Sequence, residues 1–132
     1  MPFFTYHVLN IDAATQVLLV QVLGPAGLPI QRRAYVRGLD DHGSVYTRGF
    51  DFTVTESRTR TTPTGRPMRL PHHLRWQVRD DRDHPLLTID GISNDDYSYG
   101  LGAGFVGSYD YTGHFAGRAI SGTAYMEYID LR

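Results

Sequence analysis

Between Ser44 and Glu56 the residues alternate in kind: Tyr46, Phe50, Phe52 and Val54 fall on one face, and Thr47, Asp51, Thr53 and Thr55 on the other. A period of two sends successive side chains to opposite faces of an extended chain, so the stretch predicts a strand with one face in a core and the other in water. Arg48 falls on the apolar face. A guanidinium there needs a carboxylate or a polar ligand unless it sits near a strand end and reaches back to solvent, so Arg48 is a candidate ligand-binding residue. Shorter stretches rich in strand formers recur along the chain at 3–9, 16–23, 31–39, 74–78, 85–92 and 105–111, and turn residues punctuate them at 10–14, 24–29, 40–43 and 80–83. Asp12 to Thr15 could open a helical turn instead, but Val17, Val20 and Val22 favour a strand. The pattern predicts an all-β, antiparallel barrel or sandwich of about nine strands. The stretch 57–72 holds Arg58, Arg60, Arg66, Arg69 and three prolines with little apolar periodicity, and reads as a long loop, either a lid over a barrel mouth or a solvated connection.

Composition removes whole classes of function. The chain has 132 residues, the length of one domain spanning 1–132, and contains no cysteine, which excludes disulfides and thiolate chemistry. All thirteen basic residues are arginine, so no Schiff base or phosphate-loop lysine is possible. That bias fits a GC-rich bacterial gene. A net charge of −1 and a pI near 6.6 give no field to attract nucleic acid. The apolar run 17–23 is too short to span a bilayer and contains Gln21, and no basic segment precedes it as in a secretory signal, so the expectation is a cytoplasmic protein.

The glycines from Gly100 to Gly104 lack the lysine and the βαβ setting of a phosphate loop, and fit the bends of barrel strands instead. No serine lies in a nucleophile-elbow setting. The histidines lack metal spacing: His72 and His73 are adjacent, and on a regular strand they point to opposite faces, so no metal is expected. What remains is acidic and phenolic. Glu127 shares a face with Tyr125 and Ile129, and Asp90 shares one with Thr88 and Ile92. A carboxyl group inside an apolar barrel has its pKa raised and can serve as a general acid, which makes Glu127 and Asp90 the candidate catalytic residues. Trp76, Tyr97, Tyr99, Tyr109 and Tyr125 are candidates for a cavity lining or for simple core.

The last quarter has two strand-forming runs, 109–115 and 121–131, with glycines at 113, 117 and 122 where a hairpin turns or bends. Its Tyr-x-Gly, then Gly-Arg-x-Ile-Ser-Gly-x-Ala-Tyr-Met-Glu, ending at Glu127, resembles the end of the lipocalin-like domains of the hydroxyneurosporene synthase (carotenoid 1,2-hydratase) and AttH superfamily. There a Gly-x-(Gly/Ala)-Tyr-x-Glu segment forms the final strand. The resemblance implies a lipocalin-like barrel of about 8–10 strands. It also implies cofactor-free chemistry on a small hydrophobic polyene, terpenoid or polyketide in natural-product biosynthesis: a cyclase, isomerase or hydratase, with proton delivery by a carboxyl group such as Glu127. A carrier or accessory domain of the same shape, with Glu127 tying down an arginine such as Arg118, is the other expectation. Members of that superfamily commonly carry two barrels in tandem, so a chain with room for one is expected to form a homodimer.

Overall fold

The computed structural model describes residues 3–38, 43–100 and 104–130. Ten strands follow one another: β1 (Phe3–Asp12), β2 (Thr15–Leu23), β3 (Pro29–Gly38), β4 (Gly43–Tyr46), β5 (Arg48–Thr61), β6 (Pro67–Arg79), β7 (Pro85–Ser93), β8 (Ser98–Gly100), β9 (Gly104–Phe115) and β10 (Arg118–Asp130). One 3-10 turn, Pro25–Gly27, is the only helical element among the described residues. All the strands join one antiparallel sheet in the order β4-β3-β2-β1-β10-β9-β7-β6-β5, with β8 pairing to β9. The expected all-β, lipocalin-like antiparallel architecture is therefore what the chain adopts. No helix among the described residues is long and apolar enough to cross a membrane.

The sheet is not closed by hydrogen bonds, yet its two ends meet. β4 and β5 are the opposite edges, and only Thr47 separates Tyr46 from Arg48. Since consecutive Cα atoms are about 3.8 Å apart, the sheet must curl until one edge stands beside the other. The sequence reads 44–56 as one strand; the structure breaks it at Thr47. The alternation is the same on both sides of the break, because both halves present apolar side chains to one interior.

That interior is lined by odd positions of β1, β2, β7 and β9 and by even positions of β3, β6 and β10. Leu9, Val17, Leu19, Ala34, Leu74, Trp76, Val78, Leu87, Ile89, Tyr109, Tyr111, Ala124 and Met126 form one buried cluster. Met68, Leu70 and Phe105 form a second, smaller one, and Tyr97 and Tyr128 pack against both. Gly91 shows how tightly the space is used: a Cβ there would stand 2.6 Å from Tyr109 Cδ2 and 3.1 Å from Leu74 Cδ1.

The loop expected over 57–72 is corrected. β5 and β6 continue through it as the two arms of a long hairpin, pairing Arg58 with Leu70, Thr59 with Arg69 and Arg60 with Met68, and only 62–66 turn. Apolar periodicity fails as a signal here because the ladder is made by the backbone. Edge strand β5 has few neighbours to bury its side chains, so arginines and threonines are tolerated along it. The expected turn at 40–43 lies largely outside the described residues, as does the centre of the glycine segment 100–104.

Candidate functional site

Alternation along β1 turns Phe3, Thr5, His7, Leu9 and Ile11 inward. His7 is thereby carried to the middle of the barrel, where it is 0% exposed. β6 brings Trp76 and β9 brings Tyr109 against it, both also fully buried. Tyr109 Oη lies 2.7 Å from His7 Nδ1, and Trp76 Nε1 donates to the same nitrogen at 3.1 Å. On the far side of the ring, His7 Nε2 is 2.8 Å from Thr5 Oγ1, which donates to the Glu127 carbonyl oxygen at 2.8 Å.

The donor inventory fixes the tautomer. An indole N–H can only donate, so Nδ1 is the accepting nitrogen and Nε2 carries the proton. The chain then runs in one direction: Tyr109 O–H to Nδ1, Nε2–H to the Thr5 hydroxyl, and that hydroxyl to the backbone of β10. The Trp76 N–H also interacts with the Tyr109 oxygen. Phe52 closes the group from edge strand β5, its ring 4.3 Å from Trp76 and 5.4 Å from His7.

Burial holds both titrating members neutral. Desolvation lowers the His7 pKa from 6.5 to about 3, because an imidazolium here would lose its water. The same loss of water pushes the Tyr109 phenol well above its ordinary value, against a smaller opposing effect of the Trp76 hydrogen bond. The pair, 2.7 Å apart, therefore rests as a neutral phenol donating to a neutral imidazole. Tyr111 lies nearby on β9 with its hydroxyl buried and without a hydrogen-bond partner among the described residues.

Of the residues singled out from the sequence, Trp76 and Tyr109 meet in this cluster. Tyr97 borders it half-buried and donates to the Pro71 carbonyl oxygen at 2.6 Å; desolvation raises its phenol pKa. Tyr99 is 38% exposed on β8 and leans on Phe105. Tyr125 is 42% exposed on the outer face of β10, where limited burial and then Glu127 raise its pKa. Arg48 is exposed at the start of β5, beside a ladder irregularity, so it reaches solvent from a strand end rather than pointing into the core.

The carboxyl group expected inside the barrel is likewise corrected. Asp90 is exposed and pairs with Arg75 at 2.8 Å on the outer face, and Glu127 lies opposite Tyr6 on that same face, half-buried. The interior faces of β7 and β10 take their odd and even positions respectively, and Asp90 and Glu127 fall in the other phase. Arg118 pairs with Asp12 at 2.9 Å, not with Glu127. Glu127 meets the interior network through its backbone carbonyl alone.

His7 and Thr5 were not singled out by the sequence reading. Their signal is faint because Phe4, Tyr6 and Val8 make the outer face of β1 apolar as well, so the chain does not say which face turns inward. Metal-type donors gather elsewhere, at Glu56, His72 and His73 on β5 and β6.

A family described as "Family of unknown function (DUF6670)" matches residues 1–132. No curated protein matches the sequence. Among solved structures, kievitone hydratase from Nectria haematococca superposes with a TM-score of 0.76 at 19% identity, over 98% of this chain and 39% of that one. That likeness is one of fold, and the chain spans about two fifths of the length of the structure it matches. The chain belongs to the family of unknown function.

Proposed function

We propose that this member of a family of unknown function is a hydratase-like small-molecule barrel. It takes a hydrophobic polyene, terpenoid or polyketide and adds water to it, isomerises it or cyclises it without a cofactor. The observation that carries the reading is the His7–Tyr109 contact of 2.7 Å within a largely apolar interior. The fold shared with a protein named as a hydratase supports it.

Phe52 is the side chain a ligand would displace. It is half-buried on an edge strand, at the seam where the sheet fails to close, and it covers Trp76 and His7. Burial weakens the Tyr109 phenol as an acid in the closed state; with a ligand in place of Phe52 whose polar groups stabilise the phenolate, Tyr109 could hand its proton to an enol or a polarised double bond. In a hydration the pair would take one proton back from the attacking water, so that the product gains one hydrogen and one hydroxyl and the protein ends unchanged. A dry interior strengthens such hydrogen bonds and prevents side reactions.

A second reading, a carrier without chemistry, is favoured by the closed state of the cluster: His7 is fully buried and both of its nitrogens already have partners. Trp76 is the chain's single tryptophan, so its fluorescence separates the readings. Titration with a polyene or aromatic probe should quench it. Tyr109→Phe should then keep the quenching and lose about a hundredfold or more in turnover. Quenching without turnover in the wild type leaves the carrier, and no quenching by any apolar probe removes both readings.

The same reading includes a homodimer. The outer face of β1 to β4 carries a mainly apolar groove of about 310 Å³ lined by Tyr6, Leu18, Val20, Tyr35 and Val45 together with Arg37, Gly43 and Ser44, with Val45 50% exposed. A chain matching 39% of a longer relative has a surface that the rest of such a chain could cover, and a second copy would take that role here. Light scattering should give twice the chain mass, with Val45→Glu returning it to one; a monomer at high concentration removes this part.

A further inference from the structure

The ladder between β5 and β6 breaks step at one place. Val54 faces Leu74 and Glu56 faces His73, so β5 carries an extra residue there; Ser57 then faces Pro71, so β6 carries His72 as an extra residue. A bulge bends its strand and re-aims side chains that regular alternation would send to opposite faces. His72 and His73 accordingly lie together, their rings stacked at 5.0 Å with 26° between planes. The expectation that adjacent histidines point apart, which argued against a metal, holds for a regular strand and fails at this one.

Three donors converge as a result. One ligand atom from each of Glu56, His72 and His73 lies within 4.8 Å of the others, and Glu56 Oε2 is 3.5 Å from His73 Nε2. Donors bonded to tetrahedral zinc at about 2.0–2.1 Å stand about 3.4 Å from one another, so this pair is already at coordination spacing and closing the set requires side-chain shifts of about 1 Å. A second observation is independent of that spacing. His72 is only 9% exposed, and its Nδ1 is buried with no hydrogen-bond partner among the described residues. An unsatisfied buried nitrogen is costly and calls for an explanation. Asp95 Oδ1 stands 3.4 Å from that same Nδ1 without completing a hydrogen bond; with the carboxylate turned to Nδ1 to orient the ring, His72 would meet an ion through Nε2.

We propose that Glu56, His72 and His73 form a divalent transition-metal site, with Asp95 holding the His72 ring. Two imidazoles and a carboxylate suit zinc. Glu56 and His73 have about half of their side-chain surface exposed, so the ion keeps an open position toward water. Bound there, it would clamp edge strand β5 to β6 at the point where their ladder is broken. The donors share no residue with the His7 cluster, and the site stands or falls separately from the function proposed above.

The test is calorimetric titration of zinc into the full chain after treatment with EDTA. One zinc per chain is expected, with binding weakened about a hundredfold or more by Glu56→Gln and by His73→Ala, and about tenfold by Asp95→Asn. Cobalt(II) in place of zinc should give the intense visible absorption of a four- or five-coordinate ion. Zinc should also raise the melting temperature of the wild type and leave that of His73→Ala unmoved. Glu56 and His73 are surface side chains, and circular dichroism of each variant checks that its fold is intact. Zinc bound no more tightly than by free imidazole, or a one-zinc site that survives both substitutions, overturns the proposal.

Discussion

His7 and His72 are both buried in the same sheet, at 0% and 9% exposure, and their surroundings are opposite. His7 sits in mid-strand where the ladder is regular, and both of its nitrogens are met by fixed partners from β1, β6 and β9. His72 sits at a bulge beside an edge strand, its Nδ1 without a hydrogen bond among the described residues and 3.4 Å from the Asp95 carboxylate, with exposed Glu56 and His73 nearby. A polar group in the regular interior is costly unless the protein itself satisfies it, as it does at His7 and does not, among the described residues, at the Tyr111 hydroxyl. At the bulged edge a group can be left for something from solution. The chemistry proposed on a dry ligand accordingly draws on the first region, and the proposed capture of an ion on the second.

The largest effect should come from taking away the centre of the regular region. Trp76→Ala should lose about 3–5 kcal/mol in urea unfolding, since it leaves a cavity against Phe50, Phe52 and His7. A loss below about 1 kcal/mol would mean that the interior collapses to fill the gap.

Acid should act on the same region. The His7 pKa is depressed from 6.5 to about 3 on folding, so the unfolded chain binds the proton first. The stability from keeping His7 neutral is complete above pH 6.5 and is lost progressively as pH falls toward 3. The slope is about 1.4 kcal/mol per pH unit in that window. His7→Gln should flatten the acid limb of a stability–pH profile by that amount. Equal slopes in both proteins would mean that His7 keeps access to water.

Tyr109→Phe should cost about 1–2 kcal/mol, the price of a lost buried hydrogen bond to Nδ1 with the ring's packing kept. At the bulged edge, without metal, His73→Ala should change stability by less than about 0.5 kcal/mol, because the side chain is half exposed and its contact with Glu56 is a surface pair. Glu127→Gln should do least, under about 0.5 kcal/mol, as its carboxyl lies on the outer face and its carbonyl, which Thr5 uses, is untouched. A large loss of activity with Glu127→Gln, at unchanged stability, would instead move the chemistry to the outer face.

The sequence by itself determined the fold class and most of the strands. A two-residue period and turn residues are local properties, and they suffice for an antiparallel sheet; the closing segment that resembles lipocalin-like domains is the hairpin of β9 and β10. Trp76 and Tyr109 were visible as large aromatics with a polar atom each. Which face of a strand turns inward was decided by the tertiary structure wherever both faces offered apolar residues. β1 hid His7 in this way, and β10 turned Met126 inward and Glu127 outward. The long hairpin through 57–72 and the pairing of His72 with His73 belong to the tertiary structure for a different reason. Ladder hydrogen bonds and bulges depend on which backbone lies opposite, and that partner is another strand, not a property of the residues in between.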